Sequence, residues 1–185
     1  MTTGSSNTVI QRKRRVLRAV GLIALAALLA APATTAEASR KKHPPIGYQL
    51  MCLKHPTECQ GGGKPSVEAT GEVLATLKRV NGQVNRAIKP RSDGRADVWS
   101  VGVSSGDCED YVLAKRRALI KAGLPPSALR IAHVKTRKGE GHAILVVKTK
   151  GKDLVLDNLT NTIKPLSQTG YRLVAISGAD PTNWS

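Results

Sequence analysis

The stretch His142–Asn158, "HAILVVKTKGKDLVLDN", decides the fold. Two runs rich in Val, Leu and Ile flank Lys150–Gly151, and that pattern reads as a β-hairpin with a tight turn. A two-residue turn pairs Thr149 with Lys152. Carried along the hairpin, that register sets His142 against Leu159 and Ile144 against Asp157. Side chains alternate between faces, so His142 and Asp157 project from the same face as diagonal neighbours, roughly 7–8 Å apart. Any even loop length keeps that shared face, whereas an odd loop or a bulge breaks it.

Further strands flank the hairpin. "RIAHVKT" from Arg130 precedes it and "YRLVAIS" from Tyr171 follows it. Short connections imply an antiparallel sheet. The chain before these strands is helical in period. Val67, Leu74, Leu77, Val80, Val84 and Ile88 mark one face of a helix that enters at Pro65–Ser66 and ends before Pro90. A second helix starts near Asp107 and ends at Gly123, a C-terminal cap followed by Pro125–Pro126. Its Val112, Leu113, Leu119 and Ile120 face a core, while Lys115, Arg116, Arg117 and Lys121 face water. The turn-rich segment 90–107 between the helices is long for a connection, and such loops are often functional. Helices first and strands afterwards read as an α+β fold.

The N-terminus has a different character. Arg12, Lys13, Arg14, Arg15 and Arg18 precede an uncharged apolar run, Ala19–Ala31, and then the small-residue pattern Ala36-Glu37-Ala38. This is the order of a secretory signal, with cleavage after Ala38 or Ala36. The run is shorter than the roughly 20 residues of a membrane span, and no later stretch is long enough. The expected organisation is therefore a signal peptide over 1–38, an extended Pro/Gly-rich segment over 39–65 that holds Cys52 and Cys59, and the main domain over 66–180, in a protein that is periplasmic or secreted. Export permits disulfides. Of the three cysteines, the near pair Cys52 and Cys59 reads as a local disulfide, and Cys108 is left as a free thiol. The formal charge of +16 is scattered, and aromatic residues make up only 3% of the chain. Stacking platforms for single-stranded nucleic acid need aromatics, so the charge reads as a soluble surface and no nucleic-acid partner is expected. A monomer with no membrane span after cleavage is the expected state.

Cys108 falls in the first turn of the second helix. The unpaired N–H groups and dipole there favour a thiolate and can receive an oxyanion. A cysteine nucleophile needs a base and a group that orients it. His142 opens the strongest strand and Asp157 shares its face, which permits a Cys108–His142–Asp157 triad. Trp99, nine residues before Cys108, is an oxyanion or groove candidate by its indole N–H and otherwise a packing residue. A zinc site from Cys108, His133 and His142 lacks the usual spacing.

Several ordered motifs carry a resemblance: "GDCEDYVLAKRRALIKAGLPPSALRIAHV", "GEGHAILVVKTKGKDLVLDNL" and "TGYRLV", with "VNGQVNRAI", "DVW" and "CLKHPTEC" upstream. Over residues 46–177 the chain resembles the bacterial transglutaminase-like cysteine peptidases. That resemblance implies a papain-like, transglutaminase-type α+β fold, with the cysteine at a helix N-terminus packed on an antiparallel sheet that carries the histidine and aspartate. It implies Cys108, His142 and Asp157 as catalytic residues. One branch of the family is a periplasmic, calcium-dependent protease that trims a surface adhesin and so controls biofilm attachment. By that likeness Asp107 and Glu109 are expected as calcium ligands, and a protein or peptide, such as a surface adhesin, as substrate. Calcium takes six to eight oxygens, so two acids are only part of a site. Asp107 also suits an N-cap, and Glu109 the first turn of a helix.

Two function classes follow. One is an acyl-transfer enzyme working through a thioester, which hydrolysis resolves to a cut protein and amine attack to a crosslink. The triad serves both, and the resemblance favours hydrolysis. The other is a non-catalytic basic envelope protein that binds an anionic polymer, against which the intact Cys–His–Asp set argues.

Overall fold

A central strand covered on both faces should be apolar at every position, and "AILVV" within the hairpin is such a run. In the computed structural model of the protein, which describes Met1, residues 41–94 and residues 96–185, this run is the middle of a five-stranded antiparallel sheet. The strands are β3 (Leu129–Lys135), β4 (Gly141–Val147), β5 (Leu154–Leu156), β6 (Lys164–Pro165) and β7 (Arg172–Ile176), ordered β6-β5-β4-β3-β7. The hairpin register is the expected one, with Leu145 opposite Leu156, Val146 opposite Val155 and Val147 opposite Leu154. Thr149 closes the turn: its Oγ1 accepts from the Lys152 N–H at 3.0 Å and donates to the Lys152 carbonyl at 2.6 Å.

The two faces of the sheet are covered differently. Leu129, Ile131, Ala143, Leu145, Val147 and Leu156 point into a core shared with two helices. These are α2 (Gly71–Ala87) and α3 (Cys108–Lys121). On the other face Ala132, Val134, Ile144, Val146 and Val155 pack against Leu166, Tyr171 and Ile176. Before the helices meet the sheet, the short parallel pair β1 (Lys89–Pro90) and β2 (Ser105–Gly106) ties off the base of the 90–107 segment. The Tyr111 hydroxyl, donating to the Ile88 carbonyl at 2.6 Å, locks α3 to that base.

Several expectations change. α2 begins at Gly71, because Thr70 is the better cap: its Oγ1 accepts from the Val73 N–H. Val67 instead bridges Thr149, with its N–H donating to the Lys148 carbonyl at 3.0 Å. Residues 39–65 are not extended throughout, since Ile46–Lys54 forms a helix, α1. Composition pointed away from it, and tertiary contact supplies it. Gly47 lies so close to the Asp97 carbonyl that a Cβ would sit 1.9 Å from the oxygen. Tyr48 packs edge-on against Trp99 and Trp184. The Cys52–Cys59 disulfide forms between α1 and the 3-10 turn Pro56–Cys59. Residues 39–65 and 66–180 are therefore not separate pieces: Ala38–Ser185 is one compact unit, with Tyr48 and Trp184 in the same core. The expected signal peptide lies outside the described residues. Among the described residues no helix is long and apolar enough to cross a membrane.

The basic run on α3 does not face water as a block. Lys115 and Arg116 are each only 1% exposed. Arg116 donates to the Glu58 and Gln60 carbonyls at 2.6 and 2.8 Å, anchoring the 3-10 turn to α3. Lys115 meets the Tyr111 ring, 5.7 Å from its Nζ, and the more distant charge of Asp157. Burial lowers its pKa to about 7, against a smaller opposing pull from Asp157. The unfolded chain thus holds the extra proton between pH 7 and the ordinary lysine value of about 10.4, and stability rises with pH across that window. Lys115→Met is expected to raise the melting temperature at neutral pH and below, by about 1–3 kcal/mol of stability. The gain should shrink as pH approaches about 10, where Lys115 is neutral in both states. Thermal melts at a series of pH values check this, and a variant less stable than wild type at neutral pH would show that the buried charge supports the fold.

Candidate active site

The start of α3 is shaped by a close approach. Gly106 precedes the helix, and a Cβ there would sit 1.9 Å from the Asp110 Oδ2. Asp110 folds back beneath the turn, its Oδ1 accepting the Ser100 N–H at 2.7 Å. Cys108 follows as the first residue of the helix, half-buried. Asp107 occupies the N-cap position, but its side chain makes no capping hydrogen bond.

His142 enters from the first turn of β4. Its ring is buried, and its Nε2 lies 2.9 Å from the Asp157 Oδ1. That bond is the one the hairpin register implies, because Asp157 follows β5 on the face His142 shares. Two more donors complete the carboxylate. The Leu159 N–H reaches Oδ1 at 3.0 Å, and the Tyr171 hydroxyl reaches Oδ2 at 2.6 Å. Burial alone would raise the Asp157 pKa, but the bonds from His142, Tyr171 and Leu159 outweigh it and hold the carboxyl below its ordinary value. Tyr171 also meets the His142 ring edge-on, with centroids 5.7 Å apart. Tyr171 is a site residue that hydrophobic pattern and spacing do not single out. Its signal was a tyrosine just after the Thr169–Gly170 turn, where Gly170 takes a φ of +73°.

With Nε2 committed to Asp157, the free nitrogen of His142 is Nδ1. Cys108 and His142 line one cleft of about 370 Å³, together with Glu109, His133, Lys135 and Ala143. In this state the Cys108 sulfur donates to the Glu109 Oε2 at 2.9 Å. Burial pushes the thiol pKa up, the bond to Glu109 and its charge push it further, and the Ala143 backbone N–H works in the opposite direction. The positive end of the helix therefore does not by itself set the thiol in this state, because burial first and Glu109 second oppose the thiolate. Glu109 is itself pushed up to about 7, first by burial and then by a hydrogen bond with Asp107.

The expected pairing of Asp107 with Glu109 is not the cluster that forms. Carboxylate oxygens of Asp93, Asp107 and Asp110 lie within 4.8 Å of one another. Helix geometry gives the reason: positions three apart share a face and positions two apart do not. Asp107 therefore sides with Asp110, while Glu109 keeps its hydrogen bond with Asp107 and turns Oε2 to the sulfur. The Asp107 Oδ1 is buried and has no hydrogen-bond partner. Asp110 is raised to about 6, chiefly by burial, against the Ser100 N–H. An orphaned buried oxygen within three converging carboxylates fits a hard cation such as calcium.

Trp99 is not free to serve an oxyanion. It is buried, its indole N–H donates to the Asp97 Oδ1 at 2.7 Å, and its ring stacks on His133 with centroids 5.8 Å apart. His133 stands in the cleft wall, its Nε2 buried and unpartnered and its pKa lowered by burial.

No curated protein matches the chain. Among solved structures, calcium-bound LapG from Legionella pneumophila is similar, with a TM-score of 0.54 and 25% identity over 60% of this chain and 68% of that one. A second LapG structure from the same organism gives 0.53 and 25% over 60% and 66%. EGTA-treated LapG, at 24% identity and a TM-score of 0.52, shares the fold. The family model described as bacterial transglutaminase-like cysteine proteinase matches residues 38–185. That match spans the whole compact unit with its cleft, and the chain belongs to this cysteine proteinase family.

Proposed function

We propose that the protein is an exported, papain-like cysteine peptidase that cuts a protein or peptide through a thioester on Cys108. The 2.9 Å bond between His142 and Asp157, in the cleft that also holds the Cys108 sulfur, carries this reading. The His142 Nδ1 takes the proton of the Cys108 thiol, and the sulfur attacks the scissile carbonyl carbon. The C–N bond breaks, His142 returns the proton to the departing amine, and a thioester remains. Water, deprotonated by His142, then attacks the thioester, releasing the acid and restoring the thiol. Asp157 holds the imidazole with Nδ1 towards the cleft and stabilises its charged form. The backbone N–H groups at the start of α3 are placed to receive the developing oxyanion.

Asp93, Asp107 and Asp110 would hold calcium, which when bound supplies positive charge beside the nucleophile. The calcium-bound LapG structure supports that assignment. The Cys52–Cys59 disulfide supports an extracytoplasmic, periplasmic or secreted location, as does the signal-like order of residues 1–38. A surface protein of the adhesin kind is the substrate that such a location makes accessible.

Cys108→Ala is expected to abolish cleavage, and His142→Ala to lower kcat by about a thousandfold or more. Both are measured on peptide pools by mass spectrometry, and cleavage that survives Cys108→Ala would sink the reading. Adding calcium is expected to raise the melting temperature, and Asp107→Asn with Asp110→Asn to remove that rise. An unchanged melt in calcium refutes the metal assignment. Tyr171→Phe keeps the ring against His142 and loses one bond to Asp157. Its expected cost is about 1.5–3 kcal/mol at neutral pH. The Asp157 pKa is lowered in the fold, so the stabilisation is present above the ordinary aspartate value of about 3.9 and fades as pH falls through the folded value. Denaturant melts at several pH values test the sign, and a cost independent of pH would show that Tyr171 acts by packing alone.

A further inference from the structure

The cleft carries a cation that the chemistry above does not use. Lys135, the last residue of β3, lines the cleft with Cys108 and His142. Its Nζ lies 4.0 Å from where a Cβ on Gly141 would stand, beside the residue that precedes His142. Across the sheet Lys135 is directly opposite Arg172 of β7. Like charges facing each other across two strands repel, and an anion seated between them relieves that repulsion. Among the described residues no salt bridge neutralises Lys135 or Arg172. The nearby hairpin adds exposed Arg137 and Lys138. The acid in the cleft, Glu109, is turned to the Cys108 sulfur, and Glu140 at the hairpin is exposed.

On the reading that Cys108 cuts peptides, we propose that Lys135, backed by Arg172, forms a carboxylate-binding subsite of the cleft. The enzyme then prefers segments with an acidic residue within about two positions of the scissile bond, the reach of an extended chain at roughly 3.3 Å per residue. Exposed Val174, which also lines the cleft, gives the apolar part of such a segment a surface beside the cation. Gly141 and Ala143 leave room for a peptide backbone to approach the strand. The carboxylate can come from an Asp or Glu side chain or from the end of a peptide.

The test uses the calcium-loaded enzyme and a random peptide library in two forms, with free and with amidated C-termini. Cut products are read by mass spectrometry. Asp and Glu are expected to be enriched near the cut over Asn and Gln by roughly fivefold, the size of a part-exposed ion pair, and less so at high salt. Enrichment that survives amidation assigns the subsite to side chains. Enrichment confined to free C-termini assigns it to the terminal carboxylate, and either result supports the subsite. Lys135→Gln should remove the preference, and Lys135→Glu should turn it towards Lys and Arg. Arg172→Gln should weaken it, and in all three variants Cys108 should still alkylate with iodoacetamide faster than in His142→Ala. Cleavage with equal use of acidic and neutral residues, or a preference unchanged in Lys135→Glu, overturns the subsite and leaves the peptidase reading standing. A library left uncut by an enzyme whose Cys108 alkylates no faster than in His142→Ala overturns both.

Discussion

A buried carboxylate stays ionised only where donors surround it, and Asp157 draws its donors from three separate parts of the chain. His142 comes from β4, Tyr171 from the turn before β7, and the Leu159 N–H from the loop that Asp157 itself begins. The backbone there is held as well: Asn85 of α2 donates to the Asp157 carbonyl at 3.0 Å. A slip of one residue between β4 and β5 would turn Asp157 to the opposite face and leave His142 unpartnered. The ionised aspartate thus makes strand register, loop closure and helix position mutually dependent, and the direction in which the imidazole presents Nδ1 follows from all three.

Cys108 meets His142 in one cleft from the helix packed on the other face of the sheet, so α3 must be held with equal firmness. Two buried basic residues on α3 contribute unequally. Arg116 converts its burial into two bonds to the carbonyls around the 3-10 turn, so it couples the N-terminal segment to α3. Lys115 has no comparable partner and is a local cost. The disulfide closes a loop with a sequence separation of 7 within the N-terminal segment. Tyr48, wedged between Trp99 and Trp184, ties that segment to the rest of the domain. The same Trp99 stacks on His133 in the cleft wall, so the packing of α1 reaches the site through one aromatic column.

What could be read in the sequence was what local rules decide. The Lys150–Gly151 turn and the unbroken "AILVV" run determine the hairpin, and the hairpin determines the His142–Asp157 contact. Gly123 and the double proline mark the end of α3. What could not be read depends on distant contacts. α1 stands on Gly47 meeting Asp97 and on Tyr48 meeting two tryptophans, none of which its Pro/Gly-rich surroundings advertise. A basic run looks like a solvated face until two of its members find buried positions. Asp93 joins Asp107 and Asp110 only because β1 and β2 bring the ends of the 90–107 segment together, and no spacing rule encodes that. Trp99 was legible as a residue near the site, but its indole N–H had a nearer acceptor in Asp97.

The acids beside Cys108 now divide into two groups with different electrostatic consequences. Asp93, Asp107 and Asp110 sit beneath the helix start, whose N-terminus offers only about half a positive charge. Three carboxylates against that half charge leave the helix start short of positive charge. Glu109 sits on the cleft side, against the sulfur. Lys135 and Arg172 give the opposite sign, with no salt bridge to either among the described residues. The cleft is therefore polar along its length, negative by the nucleophile and positive by the end of β3. An acidic side chain is repelled from one end and held at the other, so a peptide that carries one acid is oriented as well as bound. Orientation of that kind acts before any bond to sulfur forms, and it draws on Glu109 beside the sulfur as well as on the lysine that attracts the substrate.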